Sequence, residues 1–308
     1  MSGQLASPPL AARDTYKVAE AEGILDRLFY RKVGFQCARF FLQIRVTPVG
    51  VTLLGGLVGL FAGHLYYYRD LRLNIIGMVL HVFANVLDNA DGQLARMTGK
   101  ASREGRIIDS VVDHIVFINI YLHLFLRCMA EGFSPAIFWL ALAAGLSHSL
   151  QAAAADYFRN GFVYFVNGPS KAKFDSSDDL SAEYRRLNWR DEPWKKFLLA
   201  LSLSFTRLQE RMMPAMNRLR EVVHRHFHDE IPNWLEGRYR AGSRPLFKWF
   251  GLLMTNTRML ILFFLLLIDQ PVWFFWIQLT VFNVLLVWLL NQQSKMLNSL
   301  LAQATTSR

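Results

Sequence analysis

Four aspartates, Asp88, Asp91, Asp109 and Asp113, fall within 26 residues of the chain. Asp88 and Asp91 stand at i, i+3 and Asp109 and Asp113 at i, i+4, so on helices each pair shares a face. Carboxylates are costly inside a membrane span, at about 2.5–3.5 kcal/mol each at its centre. Four of them in a partly dry site repel one another and resist ionisation. Divalent cations relieve both problems, and hard oxygen ligands select Mg²⁺, Mn²⁺ or Ca²⁺ over softer metals. A paired-metal site suits displacement at phosphorus, because the ions stabilise both attacking and leaving oxygens. Gly92 follows Asp91, Arg96 lies one turn further on, and Gly105 precedes Asp109 by one turn. Glycine permits close approach of backbone or ligand. Arginine at a membrane–water boundary suits a phosphate.

The elements that must position these residues are membrane spans. The 308 residues are 53% hydrophobic and 19% charged, against about 25% charged in average globular proteins. The apolar residues come in runs near the bilayer length of about 20. Spans are expected at 50–68, 73–95, 105–126, 134–158, 255–268 and 272–290, the fifth after an approach helix from Pro245. Residues 1–16 lack an apolar core behind a basic start, so no signal peptide is expected. Residues 19–44 read as an amphipathic helix, either lying in the interface plane or docked on the bundle. Disorder, collagen-like sequence and disulfide scaffolds are excluded; Cys37 and Cys128 fall on opposite membrane sides and are not expected to pair.

Six spans place both termini on one side. That side carries 31 of the 34 Lys and Arg, leaving Arg69, Arg72 and Arg127 on the other. The positive-inside bias makes the termini and the acidic end of the second and third spans cytoplasmic. The net charge of +10 then needs no nucleic-acid partner. The expected fold is an all-α integral membrane protein. It comprises an amphipathic N-terminal segment (1–46), spans one to four with the acids (47–158), a helical cytoplasmic insert (159–245), spans five and six (246–292) and a cytoplasmic tail (293–308).

The full string is Asp88-x2-Asp91-Gly92-x2-Ala95-Arg96-x8-Gly105-x3-Asp109-x3-Asp113. It resembles the signature of the CDP-alcohol phosphotransferase (CDP-alcohol phosphatidyltransferase) family, with every fixed position filled. Eight fixed residues, each at ordinary usage, would coincide at a given start about once in 10¹⁰ by chance. Thr47-Pro48-x-x-Val51-Thr52, leading into the first span, also looks like the family, although many members carry Asn where this chain has Val49. The resemblance implies a membrane enzyme that moves a substituted phosphoryl group from a CDP-linked donor to an alcohol and releases CMP. It implies that Asp88, Asp91 and Asp109 bind two divalent cations, Mg²⁺ or Mn²⁺, that Asp113 completes the metal site and is the general base, and that Gly92, Ala95, Arg96 and Gly105 contact the CDP moiety. A CDP-diacylglycerol donor is expected ahead of a CDP-choline type, and family analogy adds a homodimer. The rivals are an inactive relative serving as scaffold or lipid binder, and a cation-binding transporter; the latter would spread its acids along a pore rather than cluster them at one face.

Weaker candidates surround this string. His148, Gln151, Asp156 and Arg159 at the end of the fourth span read either as an acceptor pocket or as interhelical hydrogen bonding. Arg258 reads as a phosphate anchor or a snorkelling side chain. His81, Asn85, Asn119 and His123 read as packing residues. In the insert a helix start is expected near Ser181, then a longer amphipathic helix over 192–228 broken at Pro214. His224-x-His226-x-His228 reads as a solvated helix end.

Overall fold

The computed structural model describes residues 23, 25–169, 172, 174–228 and 230–306. Among them it contains helices and no strand. Six helices are long and apolar enough to cross a membrane: Pro48–Leu65, Leu71–Met97, Arg103–Ala130, Ile137–Asn167, Asn233–Leu267 and Val272–Ala304. The chain is an integral, multi-pass membrane protein. It divides into two compact units, one gathering residues up to Gly63 with Ile76–Val116 and the other His64–Ile75 with Phe117–Arg308.

The first unit holds the acids. A π-helical turn, Asp26–Tyr30, leads into α1 (Arg31–Gln43), followed by α2 (Pro48–Leu65) and most of α3 (Leu71–Met97) and the first half of α4 (Arg103–Ala130). Of the amphipathic segment expected at 19–44, the part before Gly23 lies outside the described residues. The remainder docks: Ala38 and Phe41 join Val51, Leu87, Ala90 and Leu94 in one buried cluster. Its other face leaves Leu28, Phe29 and Phe40 exposed.

Glycines on α2 let the helices approach. A Cβ at Gly56 would stand 2.5 Å from Cγ1 of Val112, and one at Gly59 would stand 2.9 Å from Val116. Small residues at helix interfaces are the usual device for close packing in membranes, where burial against lipid supplies little driving force.

The second unit contains α5 (Ile137–Asn167), the insert helices α6 (Ser177–Arg186), α7 (Pro193–Met212) and α8 (Pro214–Phe227), then α9 (Asn233–Leu252), α10 (Thr255–Leu267), α11 (Val272–Leu279) and α12 (Val281–Thr306). The α7–α8 break falls at Pro214 as expected. Two boundaries differ from the sequence reading. α6 is capped by Ser176, whose side chain accepts from Asp178 N, so the helix starts ahead of Ser181. α9 begins at Asn233 and carries Pro245 inside it, because Leu235, Tyr239, Leu246 and Phe250 form one buried stripe across the proline. His228 takes a left-handed conformation at the end of α8, so it does not share a helical face with His224. Both cysteines are free.

A buried arginine ties this unit together. Arg127 donates to Tyr66 O at 3.3 Å, Asn74 Oδ1 at 2.9 Å, Glu131 Oε1 at 3.0 Å and Asp269 Oδ1 at 2.5 Å. Arg69 holds the other oxygen of Asp269 at 2.7 Å. Burial opposes ionisation of Asp269, but the hydrogen bonds and charges of Arg69 and Arg127 outweigh it and hold its carboxyl below the usual range. A depressed folded-state pKa contributes stability that is fully present above the unfolded value, about 3.9, and is lost as pH falls through the folded one. The thermal midpoint of the unmodified protein should therefore exceed that of Asp269→Asn at pH 7, and the gap should close below about pH 4. A gap unchanged down to pH 3, measured by thermal melts, would show that the ion pairs do not hold this turn.

Candidate active site

Asp88 and Asp91 sit near the C-terminal end of α3 and Asp109 and Asp113 in the first turns of α4. The short connection between the helices is fixed locally. Thr98 Oγ1 donates to Leu94 O at 2.8 Å and Lys100 N to Ala95 O at 2.9 Å. Gly99 takes φ +65°, a conformation that costs glycine little. Ser102 Oγ accepts from Gly105 N at 3.0 Å, which caps α4.

This geometry brings one carboxylate oxygen from each of Asp88, Asp91 and Asp109 within 4.8 Å of one another. Opposite ligands of one Mg²⁺ or Ca²⁺ lie about 4–5 Å apart, so the three oxygens fit around a single hard cation. The donors are all carboxylate oxygens, and no Lys or Arg is among the residues lining their cavity. Three converging carboxylates with no Lys or Arg among the residues lining their cavity suit a hard cation, so the residues present fit a divalent metal. Asp113 lines the same cavity but is exposed and stands outside this trio. The free space is about 30 Å³, enough to admit a water or a small cation.

Asp91, only 5% exposed, accepts a 2.5 Å hydrogen bond from Thr52 Oγ1 on α2. Gly92 lies beneath Arg96: a Cβ there would meet the guanidinium at 3.5 Å, so the glycine and the arginine share one face. Thr52, Gly55, Gly56, His81 and Asn85 also line the cavity, and none of them was assigned to the site from sequence. For two of them a signal existed, since His81, Asn85, Asp88 and Gly92 follow at i, i+4, i+7, i+11, which is one helical stripe.

The weaker candidates form two groups in the second unit. In the first, Gln151 donates to Gln278 O and to Asn283 Oδ1, at 2.9 and 2.7 Å, and accepts from Arg258 Nη2 at 2.9 Å. Arg258 also donates to His148 O at 3.4 Å, and its buried Nε has no partner. His148 stacks on Phe117 and meets the Tyr121 hydroxyl at 3.2 Å. In the second group, Asp156 pairs with Arg159 at 2.6 Å and accepts from Asn160 and from Gln209 of the insert. His123 and Asn119 lie elsewhere, with His123 Nδ1 donating to Asn119 O and Nε2 3.1 Å from His64.

Residues 45–174 match the profile of the CDP-alcohol phosphatidyltransferase family. This stretch, with its unbroken acidic string, is similar to a CDP-alcohol phosphatidyltransferase domain. The family depends on divalent metal. The chain is 40% identical over 73 residues to an archaetidylinositol phosphate synthase of Pyrococcus horikoshii, covering 24% of this chain and 37% of that protein. It is 32% identical over 115 residues to a phosphatidylinositol phosphate synthase of Streptomyces avermitilis, covering 37% and 43%. It is 30% identical over 95 residues to a bifunctional IPC transferase and DIPP synthase of Archaeoglobus fulgidus, covering 31% and 18%. The chain thus spans less than half the length of each of these relatives.

Proposed function

We propose that this protein transfers a phosphatidyl group from CDP-diacylglycerol to a phosphorylated alcohol, with inositol phosphate as the acceptor, and releases CMP. The observation that carries the reading is the convergence of Asp88, Asp91 and Asp109 within the complete family string. In this reading those three residues hold two divalent cations, Mg²⁺ or Mn²⁺, with Asp113 at the edge of the metal site. The bound cations would offset the charge of the diphosphate and of departing CMP. Gly92, Ala95, Arg96 and Gly105 border the CDP moiety, the glycines by allowing close approach and Arg96 by pairing with phosphate.

Asp113 serves as the general base. The acceptor oxygen bonds to the lipid-bearing phosphorus, the bond from that phosphorus to the bridging oxygen breaks, and CMP leaves with the bridging oxygen. The hydroxyl proton passes to the Asp113 carboxylate, which lines the cavity and is open to an incoming alcohol.

Two observations support a phosphorylated acceptor. Arg258 is a cation 2% exposed whose hydrogen bonds go to an amide oxygen and a carbonyl, with its Nε unsatisfied. A buried guanidinium without a carboxylate favours an anionic ligand. Two relatives are named as synthases of archaetidylinositol phosphate and phosphatidylinositol phosphate. His148, Gln151, Asp156 and Arg159 belong to the acceptor side of this reading. The active site and both termini face the cytoplasm, an assignment supported by the distribution of Lys and Arg along the sequence. The protein acts as a homodimer, with residues 159–245 as a cytoplasmic elaboration.

The test is product identification by mass spectrometry. Purified protein receives CDP-diacylglycerol, Mg²⁺ and one of inositol phosphate, inositol, glycerol phosphate or serine. A phosphatidylinositol phosphate product from inositol phosphate alone is expected. A product from an uncharged alcohol, with none from inositol phosphate, would overturn the acceptor assignment.

A further inference from the structure

The insert helix α7 is buried on one face. Leu199 and Leu203 pack on Leu180 of α6, with Tyr184 and Leu187 beside them. Further along, Gln209 donates to Ala153 O at 3.1 Å and to Asp156 Oδ2 at 3.4 Å, both on α5. At about 1.5 Å per residue, Ala153 and Asp156 stand about 24–29 Å along α5 from Ile137, where that helix begins. This is close to the hydrocarbon thickness of about 30 Å, and the polar group Asp156, Arg159 and Asn160 begins there. The C-terminal end of α7 is therefore fastened to α5 at the level where that span leaves the bilayer.

The outward face of α7 is apolar over its first turns. Trp194, Phe197 and Leu201 follow at i, i+3, i+7, with Trp194 58% and Phe197 44% exposed and Leu201 exposed beside them. The Trp194 and Phe197 rings stack at 5.9 Å. Trp189, also exposed, precedes the helix. Lys196 Nζ donates to Leu187 O at 2.7 Å and lies 4.6 Å from the Tyr184 ring and 5.7 Å from the Trp189 ring, which ties this approach to α7. Residues 185–196 hold five basic side chains, Arg185, Arg186, Arg190, Lys195 and Lys196, against the acids Asp191 and Glu192.

We propose that α7 is an interfacial anchor: Trp189, Trp194, Phe197 and Leu201 enter the headgroup–acyl boundary of a lipid leaflet, and the basic residues around them meet anionic headgroups. From Gln209 the helix has two courses, along the bilayer surface or out into water. The second leaves the whole apolar stripe wetted, and the first removes it from water. Tryptophan suits this boundary because its ring is apolar and its N–H polar. Exposed apolar side chains beside Lys and Arg match a helix lying in the plane of a membrane surface. A lipid surface answers both the stripe and the charge, whereas a second copy of this chain would bring the same positive excess against itself.

The test places a nitroxide label at Phe197→Cys or Leu201→Cys, one at a time, in full-length Cys37→Ala protein; the other native cysteine, Cys128, is fully buried. The protein is reconstituted into vesicles of phosphatidylcholine and phosphatidylglycerol. Electron paramagnetic resonance then compares collisions of the label with oxygen, which concentrates in the bilayer, and with a water-soluble nickel chelate. Val284→Cys, an exposed position on the crossing helix Val272–Ala304, is the lipid reference. Oxygen collisions should exceed nickel collisions at 197 and 201, as at 284. A second measurement needs no label: quenching of tryptophan fluorescence by lipids brominated near the headgroup should fall in Trp194→Phe. Nickel collisions exceeding oxygen collisions at both labelled positions would overturn the proposal and place this face in water. Few collisions with either reagent, together with dipolar broadening between labels, would overturn it in favour of a second copy covering the face. Quenching unchanged in Trp194→Phe would overturn it as well.

Discussion

Asp113→Asn should slow CMP release by about 10²–10⁴-fold, the range a positioned general base contributes, while Mn²⁺ still binds. The separation of these two effects follows from geometry. Asp88, Asp91 and Asp109 supply the oxygens that converge within 4.8 Å, and Asp113 is not one of them. Asp113 shares the cavity but is exposed, where an alcohol can reach it. Asparagine matches its shape and cannot accept the proton. The loss should appear in kcat, because the proton moves only as the new bond forms. Mn²⁺ affinity falling in step with the rate would make Asp113 a metal ligand first and leave the base unassigned.

Gly56→Ala should cost about 1–3 kcal/mol of stability, the usual range for overpacking, and should lower activity by more than the melt alone accounts for. The added methyl would stand 2.5 Å from Val112 Cγ1, a contact that real Cβ atoms do not make. Valine cannot swing clear, because a β-branched side chain in a helix has one strongly preferred rotamer. The strain therefore passes to the backbone of α4, and Val112 lies between Asp109 and Asp113 on that helix. A displacement of about 1 Å at reacting groups can cost roughly 10²-fold in rate. Val112→Ala in the same chain removes the clashing carbon and leaves Val112's own Cβ position 3.8 Å away, an ordinary contact. The double variant should recover most of the stability and rate of the unmodified protein. Strictly additive losses in thermal melts and CMP release would show that this contact does not position α4.

The acids were legible in the sequence because their spacing is itself chemistry. Asp88 and Asp91 one turn apart, followed by Asp109 and Asp113 one turn apart, can share a site only on two neighbouring helices, and Asp88, Asp91 and Asp109 converge on the cavity that Asp113 also lines. The six spans were legible because bilayer thickness fixes their length. The residues around the acids were less so. Thr52 sits 39 positions from the Asp91 it donates to, and no periodicity within one helix reveals such a pairing. The α2 glycines are ordinary in an apolar run until Val112 and Val116 are seen against them. Pro245 suggested a helix start, since proline favours the first helical turn. The buried stripe from Leu235 to Phe250 carries the helix straight through it, so tertiary packing overrode the local preference.

The central claim is that the acidic cluster is a metal-dependent phosphotransfer site. It is tested most directly by CMP release from CDP-diacylglycerol and inositol phosphate, using metal-stripped protein titrated with Mg²⁺ or Mn²⁺. Release should be absent with chelator, should rise saturably with either cation, and should disappear in Asp91→Ala, whose carboxylate is one of the three that converge. CMP release that proceeds with chelator present, or that survives in Asp91→Ala, would contradict the account.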